Sequence, residues 1–225
     1  MIGDECSRQE YRLRFDLPTI YPITDTRVSG LSHLEQVRLL VEGGSRFVQL
    51  REKRATPREF YAAAVECVEF ARPLGVKILI NDRVDIALVT GADGVHLGQD
   101  DMPPDAARRV LGPEAIIGYS THSTQQAIAA AAMPVDYVAI GPVFETSTKE
   151  NPDPMVGLDG VAAVKSAIGQ MPLVAIGGIT RANLADVIGA GASSVAMISG
   201  VLADPEGIAA AMRRLYRVAD DATIS

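Results

Sequence analysis

The stretch Gly91–Leu97 reads GADGVHL, a glycine suited to end a helix followed by a short apolar run. The same joint recurs at Gly43–Leu50 (GGSRFVQL), Pro134–Ile140 (PVDYVAI) and Gly191–Met197 (GASSVAM). Glycine favours the left-handed position at which many helices end. Short, nearly continuous apolar runs are typical of strands that are covered on both faces. The repeated joint therefore predicts helices that alternate with buried parallel strands.

Eight apolar runs of this kind occur along the chain. They are Thr19–Thr24, Arg46–Leu50, Lys77–Ile80, Gly94–Leu97, Ala115–Tyr119, Tyr137–Ile140, Leu173–Ile176 and Ser194–Met197. Segments with helical spacing lie between them, among them Leu31–Glu42, Pro57–Arg72, Pro103–Leu111, Thr124–Ala132, Leu158–Ile168 and Ala182–Ile188. Eight alternating strands without a linker favour a single-domain (β/α)₈ TIM barrel over residues 17–225. A doubly wound open sheet is the rival fold, and six strands would suit it better.

Composition restricts the class of partner and the kind of core. The chain has 225 residues, of which 48% are hydrophobic and 5% aromatic, with no Trp, so the sequence predicts an aliphatic core. The net charge of −7 argues against nucleic acid and anionic membranes as partners. We therefore expect small-molecule substrates, and the sequence leaves a homo-oligomer open.

The ends of the chain and its cysteines bear on location. Residues 1–16 are rich in charged side chains and lack the apolar stretch of a signal peptide, so we expect a polar N-terminal extension. No segment approaches the length of a membrane span. Cys6 and Cys67 have neither metal-site nor redox spacing. A cytoplasmic protein with no membrane partner is the resulting expectation.

Polar residues follow each strand from the second onward, where a barrel carries its active site. Gln49, Arg51 and Lys53 alternate toward one side at the end of the second strand. Arg and Lys at an open barrel mouth suit an anion, although a solvated basic strand end fits the pattern equally well.

Acidic residues follow the third and fourth strands. Asn81 and Asp82 end the third, and Asp101 follows the fourth. Each aspartate alone would more often cap a helix. Two carboxylates at matching ends of neighbouring strands, beside Arg51, favour Mg²⁺ held against a phosphate. His96, within the fourth strand, is interpreted as a buried core histidine rather than a catalytic base.

A second anion site is expected near strands six to eight. Ser120 follows the fifth strand near the barrel mouth, and the loop after the sixth carries Thr146, Thr148 and Lys149. Hydroxyls, amides and a lysine suit phosphate, while a plain surface loop is the alternative. Gly178 after the seventh strand lets backbone amides approach an anion. Such barrels often bind phosphate after strands seven and eight.

Motifs in the same order resemble those of the thiamine phosphate synthase family. They are VQLREK, INDRVDIAL, GADGVHLGQDD, IGYSTHS, GPVFETSTK, VAIGGIT and the Ile198-Ser199-Gly200 ending, spread from Tyr21 to about Leu202. The resemblance implies a transferase of thiamine biosynthesis. In that reaction hydroxymethylpyrimidine diphosphate loses pyrophosphate, and the nitrogen of thiazole phosphate takes its place to give thiamine monophosphate.

The resemblance also implies roles for individual residues. Pyrimidine diphosphate would contact Gln49, Arg51, Lys53, Asn81, Ser120 and Lys149; thiazole phosphate would contact Thr146, Thr148, Gly178, Ile198 and Ser199; Mg²⁺ would bind Asp82 and Asp101. The implied substitution is dissociative, so no side chain acts as nucleophile. Arg51, Lys53, Lys149 and Ser120 would be the catalytic groups, acting on the leaving pyrophosphate and the pyrimidine.

Two other functions remain open on the sequence. A thiazole tautomerase of the same fold could use His122 for proton transfer. It would not require the full set of cations and carboxylates after strands two to four. A non-catalytic sensor of thiamine intermediates is the second alternative, and no loss of metal ligands or loop points to it.

Overall fold

The structure is a computed structural model that describes residues 17–146, 153–204 and 207–224. Eight parallel strands form a closed barrel in chain order. They are β1 (Ile20–Thr24), β2 (Phe47–Leu50), β3 (Lys77–Asn81), β4 (Gly94–Leu97), β5 (Ile116–Thr121), β6 (Tyr137–Ile140), β7 (Leu173–Ile176) and β8 (Ser194–Met197). Pairing of Ile20 with Val195 joins β1 to β8. The predicted (β/α)₈ barrel is thus confirmed and the open sheet excluded.

Helices follow the strands and cover the barrel. They are α1 (Thr26–Ser29), α2 (His33–Glu42), α3 (Pro57–Ala71), α4 (Val84–Thr90), α5 (Pro104–Leu111), α6 (Thr124–Ala131), α7 (Gly157–Ile168), α8 (Leu184–Gly189), α9 (Ser199–Leu202) and α10 (Ile208–Ile224). The part of the chain that the structure describes contains no helix both long and apolar enough to cross a membrane. The expected N-terminal extension, residues 1–16, lies outside that part.

Local sequence explains where the longer helices begin. Ser32 and Thr56 precede α2 and α3, and each forms a reciprocal capping box with a glutamate three residues on. Pro57 occupies the first turn of α3, where its missing N–H costs no hydrogen bond. These caps set the residues at which α2 and α3 begin.

The core has two layers with different compositions. Aliphatic residues fill the space between strands and helices. Inside the barrel, Tyr21, Phe47 and Tyr137 are almost fully buried with small and aliphatic neighbours. The Tyr21 and Phe47 rings meet edge to face, with centroids 4.7 Å apart. The core is therefore largely aliphatic, as composition predicts, and inside the barrel three aromatic rings join six aliphatic residues.

Candidate active site

A cavity of about 610 Å³ opens at the carboxyl ends of the strands. Eleven of the residues singled out from the sequence line it: Gln49, Arg51, Lys53, Asn81, Asp82, Asp101, Ser120, Thr146, Gly178, Ile198 and Ser199. Thr148 and Lys149 lie outside the described residues. Positions at the carboxyl ends of strands, or in the loops that follow, thus bring the lining side chains to one cavity.

Arg51 is held by a carboxylate that sequence reasoning overlooked. Its Nη1 lies 2.5 Å from Asp25 Oδ2, and Asp25 is only 3% exposed. Asp25 also accepts from the backbone N–H of Arg27, which caps α1, and pairs with the Arg27 guanidinium at 3.2 Å. One buried carboxylate therefore orients two guanidinium groups that line the cavity.

Lys53 and Asp82 join the ends of β2 and β3. Lys53 Nζ lies 2.5 Å from Asp82 Oδ2. The Asp82 backbone is left-handed, with φ of 63°, and its N–H donates to the carbonyl of His96 at 2.8 Å. A non-glycine residue in this region is uncommon and often marks a functional position.

Asp101 lies against Asp82 in the same wall. Burial raises the pKa of Asp101, and the nearby charge of Asp82 and a hydrogen bond with its carboxylate raise it further. The N–H of Gly98 donates to Asp101 Oδ2 at 2.6 Å and works in the opposite direction. Two carboxylates in contact favour either a shared proton or a bridging cation.

The helix-capping alternative for these aspartates is wrong. The N-cap of α4 is Arg83 and that of α5 is Pro103, and neither is capped by a side-chain hydrogen bond. Asp82 and Asp101 instead face the cavity. Among the described residues no cluster of three or more His, Cys, Asp or Glu side chains could hold a metal. Two carboxylates with phosphate oxygens and water nevertheless suffice for Mg²⁺.

Asn81 contributes an unused donor to the cavity wall. Its side chain is 7% exposed, and its buried Nδ2 finds no acceptor in the described part of the chain. Buried amide groups without partners are rare in folded proteins because each costs free energy. An acceptor on a bound ligand would satisfy this group.

A chain of hydrogen bonds crosses the barrel beneath the cavity. Gln49 Nε2 donates to Tyr21 Oη at 2.6 Å, and Tyr21 Oη lies 2.8 Å from Tyr137 Oη. Tyr137 Oη lies 2.8 Å from His96 Nδ1, and His96 Nε2 lies 2.8 Å from Ser120 Oγ. The chain links two residues selected from the sequence, Gln49 and Ser120, through three that were not selected.

His96 is buried and hydrogen bonded, as the sequence interpretation held. Burial lowers its pKa from 6.5 to about 4, with a smaller opposing effect from Asp101. Its ring stacks on that of Tyr137, with centroids 5.5 Å apart. A neutral imidazole in this position donates through one nitrogen and accepts through the other.

The opposite wall, after β6 to β8, is built from backbone and hydroxyl groups. Gly177 and Gly178 have φ of 102° and 64°. A Cβ on Gly178 would lie 2.4 Å from the carbonyl oxygen of Glu145, so the glycine also lets the β6 and β7 loops touch. Ser199 begins the short helix α9 directly after Ile198.

His122 also lines the cavity, at the end of β5. Its Nδ1 lies 2.7 Å from the carbonyl oxygen of Gly141 and 3.5 Å from Asp153 Oδ2. The carbonyl contact requires a proton on Nδ1. Ser123, the neighbouring hydroxyl, caps α6 through the N–H of Gln126.

The functional residues that were not selected from the sequence lie in two parts of the fold. Asp25 and Arg27 follow β1, whose end the sequence reading did not consider, although the strand-end rule applies to it equally. Tyr21 and Tyr137 lie within apolar strand runs, where their hydroxyls looked incidental. Only the barrel geometry brings these two hydroxyls together.

Comparisons with known proteins give a consistent identification. The family described as thiamine monophosphate synthase matches residues 20–201. A thiamine-phosphate synthase of Koribacter versatilis is 47% identical over 196 residues, covering 84% of this chain and 91% of its own. One of Methanoculleus marisnigri is 43% identical over 201 residues, covering 89% and 95%.

A solved structure agrees with these sequence relatives. Thiamine phosphate pyrophosphorylase from Pyrococcus furiosus superposes with a TM-score of 0.81 at 34% identity, covering 91% of this chain and 96% of that one. The family match, over residues 20–201, includes every residue that lines the cavity. This chain belongs to the thiamine monophosphate synthase family.

Proposed function

We propose that this chain joins hydroxymethylpyrimidine diphosphate to thiazole phosphate, releasing pyrophosphate and forming thiamine monophosphate. Membership of the synthase family and the high coverage of its named relatives support this reaction. The observation that carries the proposal is one cavity with two unlike walls. Cations and carboxylates lie after β2 to β4, and hydroxyls and glycine backbone lie after β6 to β8.

The first wall suits the diphosphate substrate. Arg51 offers a guanidinium already oriented by Asp25, and Lys53, two residues further on after the same strand, offers an ammonium. Arg binds phosphate oxygens in pairs, and Lys binds them as a point charge. The unsatisfied Asn81 Nδ2 supplies a further donor. Gln49 and Ser120 are proposed to contact the pyrimidine ring, and Lys149 the pyrophosphate.

The second wall suits the thiazole phosphate. Thr146 and Ser199 provide hydroxyls, and Gly178 and Ile198 provide backbone at the ends of β7 and β8. Thr148 is assigned to the same phosphate on the resemblance alone. Asp153 is the one carboxylate that lines this wall among the described residues, against Asp82, Asp100 and Asp101 in the first wall, so the monophosphate is assigned to the second wall.

Asp82 and Asp101 are proposed to hold Mg²⁺. The fit rests on two carboxylates in contact, one with a raised pKa, because a divalent cation would relieve their repulsion. When bound, the metal would neutralise charge on the departing pyrophosphate. The Lys53 ammonium, which pairs with Asp82 in this structure, would then bind the phosphate oxygens instead.

The protein's own contribution to a dissociative substitution is placement and charge. Arg51 and Lys53 would stabilise the negative charge that grows on the leaving pyrophosphate. The cavity walls would hold the two reacting rings together and limit access of water. The reaction therefore requires no nucleophilic side chain paired with a base, and no such pair is assigned to the cavity walls.

Neither alternative function is favoured by a specific observation. A tautomerase could employ His122, which lines the cavity, but would leave Arg51, Lys53, Asp82 and Asp101 without a purpose. The substrates proposed are small molecules, and we place the reaction in the cytoplasm. The proposed reaction does not depend on the oligomeric state of the protein.

Pyrophosphate release tests the proposal. Purified protein is assayed with both substrates, with each substrate omitted, and with or without Mg²⁺, and the product is identified by mass. We expect release only when both substrates and the metal are present, with thiamine monophosphate formed in equal amount. Absence of release from folded protein that still binds thiazole phosphate would favour the tautomerase or the sensor.

A further inference from the structure

The two ends of the buried hydrogen-bond chain, Gln49 and Ser120, line the cavity from opposite sides of β3 and β4. Both groups are ambiguous in isolation, because an amide can donate or accept and a hydroxyl can do both. A ligand ring meets a defined pattern of donors and acceptors only if other residues fix the hydrogen-bonding roles of Gln49 and Ser120. The hydrogen-bond chain inside the barrel can fix these roles.

We propose that Tyr21, Tyr137 and His96 are positioning residues that fix Gln49 as an acceptor and Ser120 as a donor toward the ligand. The inference rests on the proposed function for the identity of that ligand. An amino-substituted nitrogen heterocycle offers both a donor and an acceptor, which this pattern complements. In a ring with an oxo group in place of the amino group, the exocyclic donor becomes an acceptor, and the neighbouring ring nitrogen becomes a donor. Binding of such a ring is therefore disfavoured.

The direction of the chain follows from counting protons. Gln49 Nε2 donates to Tyr21 Oη, so the single Tyr21 proton is directed to Tyr137 Oη. Tyr137 then donates to His96 Nδ1. A neutral imidazole that accepts at Nδ1 carries its proton on Nε2, and this proton goes to Ser120 Oγ. The Ser120 proton is left to point elsewhere.

The opposite direction is internally inconsistent while Gln49 Nε2 faces Tyr21. Tyr21 Oη would then accept from both Gln49 and Tyr137, and its own proton would have no acceptor in a fully buried position. Reversing the whole chain requires the Gln49 amide to turn over, which would make Gln49 the donor and Ser120 the acceptor. In either direction the two ends have opposite roles.

The barrel interior is arranged around Tyr137, the middle of the chain. A Cβ on Gly118 of β5 would lie 2.0 Å from Tyr137 Cζ and 2.2 Å from its Oη. The absence of a side chain there is what admits the phenol. Tyr21 meets the Tyr137 ring edge to face at 5.9 Å. Tyr137 and Tyr21 are each about 1% exposed or less, so water does not compete for their hydroxyls.

The tautomer of His96 is the first test. Nitrogen-15 labelling of histidine, with His96→Gln to assign the signal, distinguishes a proton on Nε2 from one on Nδ1 by two-bond proton correlations. We expect the neutral Nε2–H form at pH 7. A proton on Nδ1 would overturn the proposed direction. The measurement needs neither substrate nor turnover, so it stands whatever the assay of the proposed function shows.

Ligand preference is the second test. Calorimetry gives the affinity of the holoprotein for hydroxymethylpyrimidine diphosphate and for its 4-oxo analogue, in the wild type and in Tyr137→Phe. Because Phe breaks the chain without removing the ring, we expect the amino-to-oxo affinity ratio to fall about tenfold, the worth of one hydrogen bond. The affinity for thiazole phosphate should change by less than about twofold.

Tyr216→Phe is the matched control. Its phenol is hydrogen bonded to Ser45, outside the cavity, so the variant loses a hydroxyl but should keep the ratio. An unchanged ratio in Tyr137→Phe, or an equal fall in Tyr216→Phe, would refute the inference while leaving the proposed function intact. A wild type that binds no pyrimidine diphosphate would instead refute the proposed function, and the His96 tautomer would still decide the direction of the chain.

Discussion

Lys53 Nζ and Asp82 Oδ2 lie 2.5 Å apart, so the cation at the end of β2 is paired with a carboxylate at the end of β3. The pair is partly exposed, with 45% of the Lys53 side chain accessible. Exposed ion pairs contribute little to stability. Lys53 and Asp82 can therefore each exchange partners when a diphosphate and a metal bind. The pair matters for ligand binding rather than for stability.

Replacing Lys53 by Met should affect binding of the diphosphate far more than folding. The substitution keeps the length of the side chain and removes its charge. We expect KM for the pyrimidine diphosphate to rise about 10- to 100-fold, since a hydrogen bond to a charged group is lost. The melting temperature should hardly change.

Lys77→Met is the matched control for this substitution. Lys77 Nζ pairs with Asp93 Oδ1 at 2.7 Å, also partly exposed, but at the start of β3 and away from the cavity. Its KM should equal that of the wild type. Equal effects of the two substitutions would mean that surface charge in general, rather than the position of Lys53, governs the affinity.

Asp101→Ala should weaken the response of the reaction rate to Mg²⁺. Removing one of two proposed ligands should raise the metal concentration that gives half-maximal rate by at least about tenfold. Loss of a carboxylate whose pKa is raised by burial should leave the fold intact. Asp220→Ala, an exposed change on α10, is the control. A normal metal titration of Asp101→Ala would remove the assignment.

Asp25→Asn should lower both stability and affinity. Asp25 is buried between Arg51 and Arg27, and removing its charge takes away the carboxylate that pairs with both guanidinium groups. We expect a loss of about 2–4 kcal/mol in the free energy of unfolding, measured in urea. KM for the pyrimidine diphosphate should rise because the orientation of Arg51 is lost.

Asp85→Asn provides the comparison. Asp85 pairs with Arg83 at the same 2.5 Å, but its side chain is 64% exposed. Its loss should cost less than about 1 kcal/mol. If both substitutions destabilise equally, burial does not determine the strength of the Asp25 pair.

The sequence could predict the fold and much of the cavity because both depend on local pattern. Apolar runs bounded by glycine define strands, and β4, β6, β7 and β8 begin and end where these runs do. Residues at the carboxyl ends of strands, and those that follow them, meet at the barrel mouth, which is why Gln49 of β2 and Ser199 after β8 line one cavity.

Contacts between distant strands could not be predicted in the same way. The Tyr21 and Tyr137 hydroxyls are 116 residues apart in the chain and meet only because the barrel closes. Nothing local to either residue distinguishes it from a tyrosine packed in an ordinary core. The bounds of helix α4 are a second case, because the sequence indicates its end at Gly91 but not its start. Its sequence, VDIALVT, is rich in β-branched residues, and packing rather than propensity makes it helical.

Gly118→Ala should destabilise the barrel through Tyr137. The new methyl carbon would overlap the phenol, and the overlapped ring is fully buried in the lumen. We expect a loss of about 3 kcal/mol or more in the free energy of unfolding. Gly189→Ala, at the end of α8 with nothing within 4 Å of the new atom, should be neutral or stabilising by up to about 1 kcal/mol. Equal effects would show that the overlap relaxes freely.

Stability should fall as the pH drops below 6.5, because of His96. Its pKa is about 4 in the folded protein and 6.5 in the unfolded chain, so the unfolded state binds the proton first. The contribution is complete above pH 6.5 and is lost as the pH falls toward 4. Between pH 7 and pH 5 it amounts to about 2 kcal/mol.

Urea unfolding of the wild type and His96→Gln at both pH values isolates this contribution. Burial also lowers the pKa of His33, which adds a change of the same sign to both proteins. The difference between their pH dependences therefore reports His96 alone, and we expect the variant to lose less stability on acidification. Parallel behaviour of the two proteins would mean that the pKa of His96 is the same in the folded and unfolded states, so that folded His96 would be protonated at pH 5 and could not accept from Tyr137 there.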